Sequence, residues 1–301
     1  MWFEAGAGPA AEARATGLEL AELVAMQPRH FRGPRAPGRR SPGGERAGRG
    51  RAQSLDFDGI SPYQSGDDIR WIDWRATARS GQTQMRRFAA ESHRARMVLV
   101  DLSPASYFGT RGRLMAKTAA LVAARLCWES QAWQEPVGLA ASSRSELLGP
   151  RRGKRHVLRL LALLREGYLA GLEEAQGPAV SDLLTEASAH LGAADELCLV
   201  GDFGELDETF KRLSGVLAGH RSLRAFLVED PVFRGRVPAG RYPMRDALER
   251  EDRSAVIGAR GGATQDETEG LRRLRQDRLR DLGWEVVDAL DLLPRQEEPP
   301  S

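Results

Sequence analysis

The stretch ARMVLVDLS, residues 95–103, decides the fold class of this chain. Four apolar residues in succession are followed directly by Asp101 and Ser103. A short apolar run that stops at polar residues is typical of a strand buried on both faces of a sheet. The stretch DELCLVGDFGEL, residues 195–206, repeats the pattern, and its apolar run ends at Gly201 and Asp202. We therefore predict two buried strands, each followed by an aspartate.

Segments with helical spacing separate these strands from further strand-like runs. Helices are predicted over residues 111–132, 154–167, 179–192, 206–219 and 265–283. Strands are predicted in the two arms of 136–150 and over 222–231, 254–260 and 284–293. This alternation favours a doubly wound α/β fold with a mostly parallel sheet covered on both faces. In such a sheet ligands bind at the carboxyl ends of the strands, where Asp101 and Asp202 are expected to meet.

The charge of the chain is balanced overall but unevenly distributed. Lys and Arg number 44 and Asp and Glu 42 in 301 residues, a net charge of +2 that excludes a uniformly basic nucleic-acid-binding protein. Residues 28–52 hold eight arginines and one glutamate, for a local charge of +7. Their Gly and Pro content predicts a flexible arm. Nucleic-acid binding through this arm is the alternative function, although Phe31 alone gives little stacking capacity, which makes nucleic acid an unexpected partner.

The sequence divides into five segments. They are an N-terminal helix (1–27), the basic arm (28–52), a signature segment (53–94), an α/β domain (95–293) and a disordered tail (294–301). No apolar run approaches the roughly 18 residues of a membrane span, and the first residues lack the pattern of a signal peptide. Cys127 and Cys198 lie in apolar segments, as expected for reduced, buried thiols. We expect a cytoplasmic protein.

The stretch SPYQSGDDIRWIDWRATARSGQTQMRRFAAE, residues 61–91, resembles the signature of the domain of unknown function 58 family. The matching positions are Gly66, Asp67, Asp68, Arg70, Ile72, Asp73, Trp74, Ala78, Arg79 and Gly81. The stretches DLSPASYFGT and VEDPVFRGRVPAGRYPMRDA fit the same family, and the resemblance covers roughly residues 50–290.

The resemblance implies a von Willebrand factor A type domain with the signature segment packed on it. It also implies a MoxR-type AAA+ ATPase as partner and a non-catalytic adaptor role in chaperone-like remodelling or maturation of client proteins. The sequence carries no G-x-x-x-x-G-K-[ST] phosphate-binding loop, so any ATP hydrolysis belongs to a separate chain.

The resemblance further implies a Mg²⁺ site built from an Asp-x-Ser-x-Ser motif, a threonine of a second loop and an aspartate of a third. The sequence offers Asp101, Ser103 and Asp202, but Ala105 stands in place of the second serine. Residues 149–156, GPRRGKRH, are assigned to the second loop and contain no threonine. Three interpretations stay open: a degenerate Mg²⁺ site, carboxylates paired with arginines, or an anion or partner site formed by Arg151, Arg152 and Lys154.

Two roles are open for the signature segment. In the first, Asp67 or Asp68 holds Arg70 or Arg79, while Ile72 and Trp74 dock on the core and Asp73 and Arg75 face outward. In the second, tryptophan and arginine contact a partner, because these residues are enriched at interface hot spots. The first role is favoured.

Overall fold

The computed structural model describes residues 9–28, 56–63, 69–89, 94–109, 112–143, 146–173, 178–192, 195–204, 206–230, 240–245, 252–257 and 265–293. The chain forms two compact units, one from Met1–Ser41 with Arg94–Ser301 and the other from Pro42–His93. The predicted arm after residue 28 and the predicted tail lie outside the described residues.

Helices and strands follow one another along the described chain. In order they are α1 (Pro9–Thr16), α2 (Leu20–Ala25), β1 (Asp56–Pro62), α3 (Trp74–Ser80), β2 (Gln84–Ala89), β3 (Arg96–Val100), α4 (Met115–Ala132), β4 (Val137–Ala141), β5 (Leu147–Arg151), α5 (Lys154–Glu173), α6 (Val180–Ser188), β6 (Glu196–Gly201), α7 (Glu208–Ala218), β7 (Ser222–Leu227), β8 (Gly240–Arg245), β9 (Asp252–Ile257), α8 (Gln265–Asp281) and β10 (Glu285–Asp288). Short 3-10 turns lie at Ile69–Trp71, Pro104–Ser106 and Ala289–Leu292.

Six strands of the larger unit form one sheet in the order β10-β7-β6-β3-β4-β5. Every neighbouring pair is parallel except β4 and β5, which form an antiparallel hairpin at one edge. The predicted α/β class and mostly parallel sheet are therefore confirmed. β8 and β9 pair with each other as a separate antiparallel hairpin that the sequence did not predict in full.

The side chains of β3 alternate between two apolar layers, which explains why its sequence is apolar without interruption. Val98 and Val100 pack in the layer that contains α4 and α5. Met97 and Leu99 pack in the opposite layer with residues of α6, α7 and the end of α8. Both faces of the sheet are thus covered by helices.

The N-terminal segment forms two helices where one was predicted. The break falls at Gly17, whose amide donates to Ala13 O at 2.8 Å and closes the last turn of α1. Lys117 of α4 is 4% exposed, and its Nζ donates to the carbonyls of Arg14 and Gly17, both at 2.7 Å. The break exposes carbonyls that a buried lysine then binds, and this fastens the segment to the domain.

The described part of the smaller unit contains the antiparallel hairpin of β1 and β2, with α3 inserted between the strands. Asp73 caps α3 by accepting hydrogen bonds from the amides of Arg75 (3.0 Å) and Ala76 (2.9 Å). Asp73 is 9% exposed, whereas Trp74 is 71% exposed. The expectation that Asp73 faces outward is therefore wrong, because capping turns the aspartate towards the backbone.

Arg96 and Glu196 form a buried ion pair at the amino ends of the two central strands. The residues are direct register partners in β3 and β6, and Arg96 Nε lies 2.6 Å from Glu196 Oε2. Their side chains are 1% and 4% exposed. Arg96 also donates to Leu126 O of α4 at 3.2 Å. The pair therefore joins both strands and one covering helix.

Replacing one member of this pair is expected to destabilise the domain more than replacing both. Arg96→Met removes the cation 2.6 Å from buried Glu196, while Arg224 Nη1 remains 3.9 Å away, and should lower the free energy of unfolding by about 3–5 kcal/mol. The double variant Arg96→Met, Glu196→Leu should recover most of that loss, as measured by urea denaturation. A single variant within about 1 kcal/mol of the wild type would contradict the interpretation.

Candidate functional site

A crevice opens at the carboxyl ends of β3 and β6, where the strand order reverses. After β3 the chain continues through α4 to β4 on one side, and after β6 it continues through α7 to β7 on the other. Connections that depart in opposite directions leave a gap above two neighbouring strands, and in α/β sheets ligands bind at such a point. We call this cavity of about 640 Å³ the switch-point crevice. It is lined by Asp101, Ser103, Pro104, Ala105, Ser142, Pro178, Ala179, Val180, Ser181, Asp202, Gly204, Leu206, Asp207, Phe210 and Arg275.

Asp101 is held in a fixed orientation at the base of the crevice. It is 5% exposed, and its Oδ1 accepts hydrogen bonds from Ser103 N (2.9 Å) and Ser142 Oγ (3.3 Å). The same Ser142 hydroxyl accepts from Leu102 N at 2.6 Å. Ser142 lies directly after β4, so the loop after one strand fixes the carboxylate after its neighbour. Such support limits rotamer freedom before any ligand arrives.

The motif after β3 ends in a 3-10 turn. Ser103 precedes this turn and lines the crevice, as does Ala105. Ser106 is 2% exposed, and its hydroxyl donates to Ser103 O at 2.7 Å. The structure thus commits the hydroxyl of Ser106 to the loop backbone.

Gly201 allows the two strand ends to lie side by side. A Cβ at this position would lie 2.6 Å from Asp101 Cβ and 3.1 Å from the Phe203 ring. Phe203 itself has φ +51, a left-handed conformation that is unfavourable for a bulky residue, and its side chain is 4% exposed. The chain after β6 thus combines a close backbone approach at Gly201 with a strained backbone conformation at Phe203.

Asp202 lies near enough to Asp101 for the two carboxylates to interact. Burial raises the pKa of Asp202, and the charge of Asp101 raises it further. The charge of Arg275 lowers this pKa. The amide of Gly204, which donates to Asp202 Oδ1 at 3.4 Å, lowers it as well. The crevice therefore holds two acids that repel each other, and the guanidinium of Arg275 partly compensates their charge.

Residues 178–181, which lead into and begin α6, form another wall of the crevice that the sequence did not identify. Ala179 is the N-cap of α6, and Ser181 Oγ donates to Asp207 Oδ2 at 2.6 Å. Asp207 in turn caps α7 by accepting from Phe210 N at 2.6 Å. The Ser181 and Phe210 bonds hold the pKa of Asp207 below its usual range. An acidic N-cap ahead of the apolar positions of α7 is the only sequence signal that pointed here.

Two arginines of α8 face the acidic strand ends. Arg272 Nε lies 2.7 Å from Glu229 Oε2, after β7, and its Nη2 lies 3.3 Å from Asp288 Oδ2, at the end of β10. One turn further on, Arg275 reaches the crevice beside Gly204 and Asp202. The sequence showed α8 only as a charged helix, because helical spacing alone does not say which arginines meet which strand.

The segment assigned to the second loop lies elsewhere. β5 is antiparallel to β4, and Arg151 pairs with Val137 at the amino end of the parallel strands. Arg152 and Lys154 follow Arg151 directly, so all three cations lie at the edge opposite to Asp101 and Asp202. The expectation that they stand beside a Mg²⁺ site is wrong, because the hairpin reverses the chain direction.

The donor atoms of the crevice suit a hard cation in kind. Asp101, Ser103 and Asp202 supply oxygen atoms from two loops. The third wall contributes the hydroxyl of Ser181, and the described lining contains no threonine. Mg²⁺ prefers such oxygens and retains several waters. Within the described residues, no group of three or more His, Cys, Asp or Glu side chains is arranged to hold a metal ion. A cation here would depend on hydroxyls and water as well as on the two carboxylates.

The remaining signature residues are spread over the smaller unit. Gly66, Asp67 and Asp68 lie outside the described residues. Arg70 belongs to the 3-10 turn Ile69–Trp71, and Arg79 Nε donates to Arg75 O at 3.3 Å within α3. The described signature residues thus take part in local structure of that unit.

Comparison with known proteins identifies the family. Residues 60–257 match the family described as Protein of unknown function DUF58. This match spans well over half of the chain, so the chain belongs to that family. No curated protein matches the sequence significantly.

Solved structures provide distant resemblances. One is the crystal structure of the conserved hypothetical protein BatB from Bacteroides thetaiotaomicron, with 13% identity, a TM-score of 0.42 and coverage of 65% of this chain and 90% of that one. Another is an aerotolerance-related membrane protein from Bacteroides fragilis NCTC 9343 with multiple mutations to serines, with 11% identity, a TM-score of 0.44 and coverage of 65% and 92%. In the present chain, none of the helices that the structure describes is both long and apolar enough to cross a membrane.

The close approach at Gly201 can be tested by substitution. Gly201→Ala places a methyl group 2.6 Å from Asp101 Cβ and should lower the free energy of unfolding by about 1–3 kcal/mol through overpacking. The matched control is Gly215→Ala in α7, where a Cβ meets nothing within 4 Å and better helix propensity should add about 0.5–1 kcal/mol. Chemical denaturation measures both, and a Gly201→Ala protein as stable as the wild type would refute the packing described.

Proposed function

We propose that this member of the DUF58 family is a non-catalytic protein-interaction module of the von Willebrand factor A type. Its docking face is the switch-point crevice. The observation that carries the proposal is the convergence of Asp101 and Asp202 at the reversal of the strand order, with Asp101 oriented by Ser142. Among the described residues that line the crevice there is no histidine, cysteine or lysine. The lining therefore favours recognition over nucleophilic chemistry.

Within this proposal, Asp101, Ser103 and Asp202 are the residues that would hold Mg²⁺. A bound Mg²⁺ would supply an open coordination position for a carboxylate of the partner protein. The chain itself would orient the ligands, because Ser103 N and Ser142 Oγ both donate hydrogen bonds to Asp101 Oδ1. The positive charge of Arg275, which also lines the crevice, would weaken the binding of a cation.

A MoxR-type AAA+ ATPase is the proposed partner, and chaperone-like remodelling or maturation of client proteins is the proposed process. Family membership and the signature resemblance support this assignment. It agrees with the lack of a phosphate-binding loop in the sequence, because the ATPase would supply the energy. A cytoplasmic location is part of the proposal, and it suits Cys127 and Cys198, which are buried thiols and not members of a disulfide.

Association with the ATPase should depend on the crevice. Full-length tagged protein is expected to retain a MoxR-type ATPase in a nucleotide-dependent manner, and Asp101→Ala with Asp202→Ala should weaken retention at least tenfold. The control is Asp277→Ala with Asp281→Ala, which removes two exposed carboxylates of α8 and changes the net charge equally. If the two proteins do not associate in any of the nucleotide states, the ATPase assignment is contradicted. An equal loss of retention in the control would contradict the role of the crevice as the docking face.

Cation binding can be measured separately by titration calorimetry with Mg²⁺ and Mn²⁺. The wild type should bind, Asp101→Ala should lose the signal, and Arg275→Gln should bind more tightly because one competing positive charge is gone. A folded wild-type protein that gives no heat of binding at millimolar cation would remove the metal from the proposal and leave the docking face to direct contacts.

A further inference from the structure

A cluster of exposed cations lies at the edge of the sheet opposite to the switch-point crevice. We call it the basic surface; it comprises Arg151, Arg152, Lys154, Arg155 and Arg159. All five are exposed, and the sequence from 151 to 165 contains no acidic residue. Across the part of the chain that the structure describes, none of the five side chains takes part in an ion pair or hydrogen bond. The protein itself therefore leaves this charge uncompensated.

These cations form one continuous surface. His156 Nε2 lies 2.9 Å from Val137 O, at the amino end of β4. Burial lowers the pKa of His156, and the charges of Arg151 and Arg159 lower it further, against the effect of the Val137 bond. Two residues eight positions apart thus act on one imidazole ring. The end of β5 and the first turns of α5 therefore present their charges together.

The basic surface costs stability in the isolated protein. Lys154 and Arg155 begin α5, where positive charge opposes the helix dipole. Arg155 and Arg159 are four residues apart on the helix, a spacing at which like charges repel. An anionic ligand would reverse both effects.

The composition of the basic surface favours phosphates over a protein or a lipid surface. Leu158, 37% exposed, is its only exposed large apolar side chain. A stable protein interface needs a desolvated apolar or aromatic core, and a helix that binds a bilayer needs several apolar anchors. Phosphate backbones need neither, since counterion release supplies the binding free energy.

We propose that the basic surface binds the phosphate backbone of nucleic acid without sequence specificity. This inference is independent of the proposed docking face, because the two lie at opposite edges of the sheet. The net charge of +2 excludes a uniformly basic protein, but five cations lie within residues 151–159 and are exposed at one edge of the sheet.

Fluorescence anisotropy with a labelled 20-base-pair DNA duplex, read across a series of salt concentrations, tests the proposal on the full chain. In the test variant Arg151, Arg152, Lys154, Arg155 and Arg159 are all replaced by Gln. In the control variant the exposed cations Lys211, Arg212, Arg273, Arg278 and Arg280 are replaced by Gln, which lowers the net charge equally.

The test variant should bind at least tenfold more weakly, and its plot of log K against log salt should lose about 0.9 in slope for each lost phosphate contact. The control should stay within about twofold of the wild type, as expected for cations that make no phosphate contacts. Equal binding by the test variant, or equal loss in the control, would overturn the proposal. Binding to a polyglutamate peptide or to anionic phosphatidylserine vesicles with none to DNA would also overturn it, in favour of an acidic protein or a membrane.

Arg151 ends an edge strand, where positive charge also opposes pairing between copies of a chain. Light scattering on the same samples separates the two roles: a test variant that aggregates but binds DNA normally would refute the proposal.

If circular dichroism shows that the fivefold variant is unfolded, the double variant Arg152→Gln, Lys154→Gln replaces it, with Arg212→Gln, Arg278→Gln as its control. Two lost contacts should then lower the slope by about 1.8, and an unchanged slope would overturn the proposal.

Discussion

The parallel pairing of β3 with β6 is the contact on which the rest of the larger unit depends. Its amino end is fixed by the buried ion pair of Arg96 and Glu196, and its carboxyl end by the amide of Asp101, which donates to Val200 O at 2.8 Å. A slip of one residue would exchange the two faces of β3 and separate the charges of the ion pair. It would also move Asp101 away from Gly201, the one neighbour small enough to admit it. The register and the switch-point crevice are therefore set by the same few contacts.

Much of this arrangement follows from the sequence. An apolar run that ends in an aspartate marks a buried strand and its carboxyl end, so the meeting of Asp101 and Asp202 was predicted from two short stretches. Ser181 and Arg275 could not be predicted in the same way, because their positions depend on how α6 and α8 pack on the sheet. The position of Arg151 was predicted wrongly because β5 is antiparallel to β4. The sequence pattern of a strand does not show in which direction the strand runs. The prediction for Asp73 was wrong, since the sequence pattern did not show that this residue caps a helix.

Acidic side chains lie at both ends of the parallel strands, and Glu196 and Glu285 at the amino ends pair with Arg96 and Arg224. Carboxylates follow or end the four adjacent parallel strands β3, β6, β7 and β10, and Arg272 and Arg275 of α8 lie against them. The basic surface occupies the other edge, and no described ion pair compensates it. Arginines are thus used in two ways. Those of α8 neutralise the chain's own acids, whereas those around the start of α5 leave their charge to the surroundings.

The signature unit shows which positions of a family pattern have local structural explanations. Asp73 caps α3, and Gly81 ends it with φ +70, a conformation that glycine adopts without strain. These two positions together define a helix of seven residues. Helix capping does not explain the apolar residues Trp74 and Ile69, which are 71% and 68% exposed. The capping residues account for why the helix exists, and the exposed apolar residues are the part of the pattern that local structure leaves unexplained.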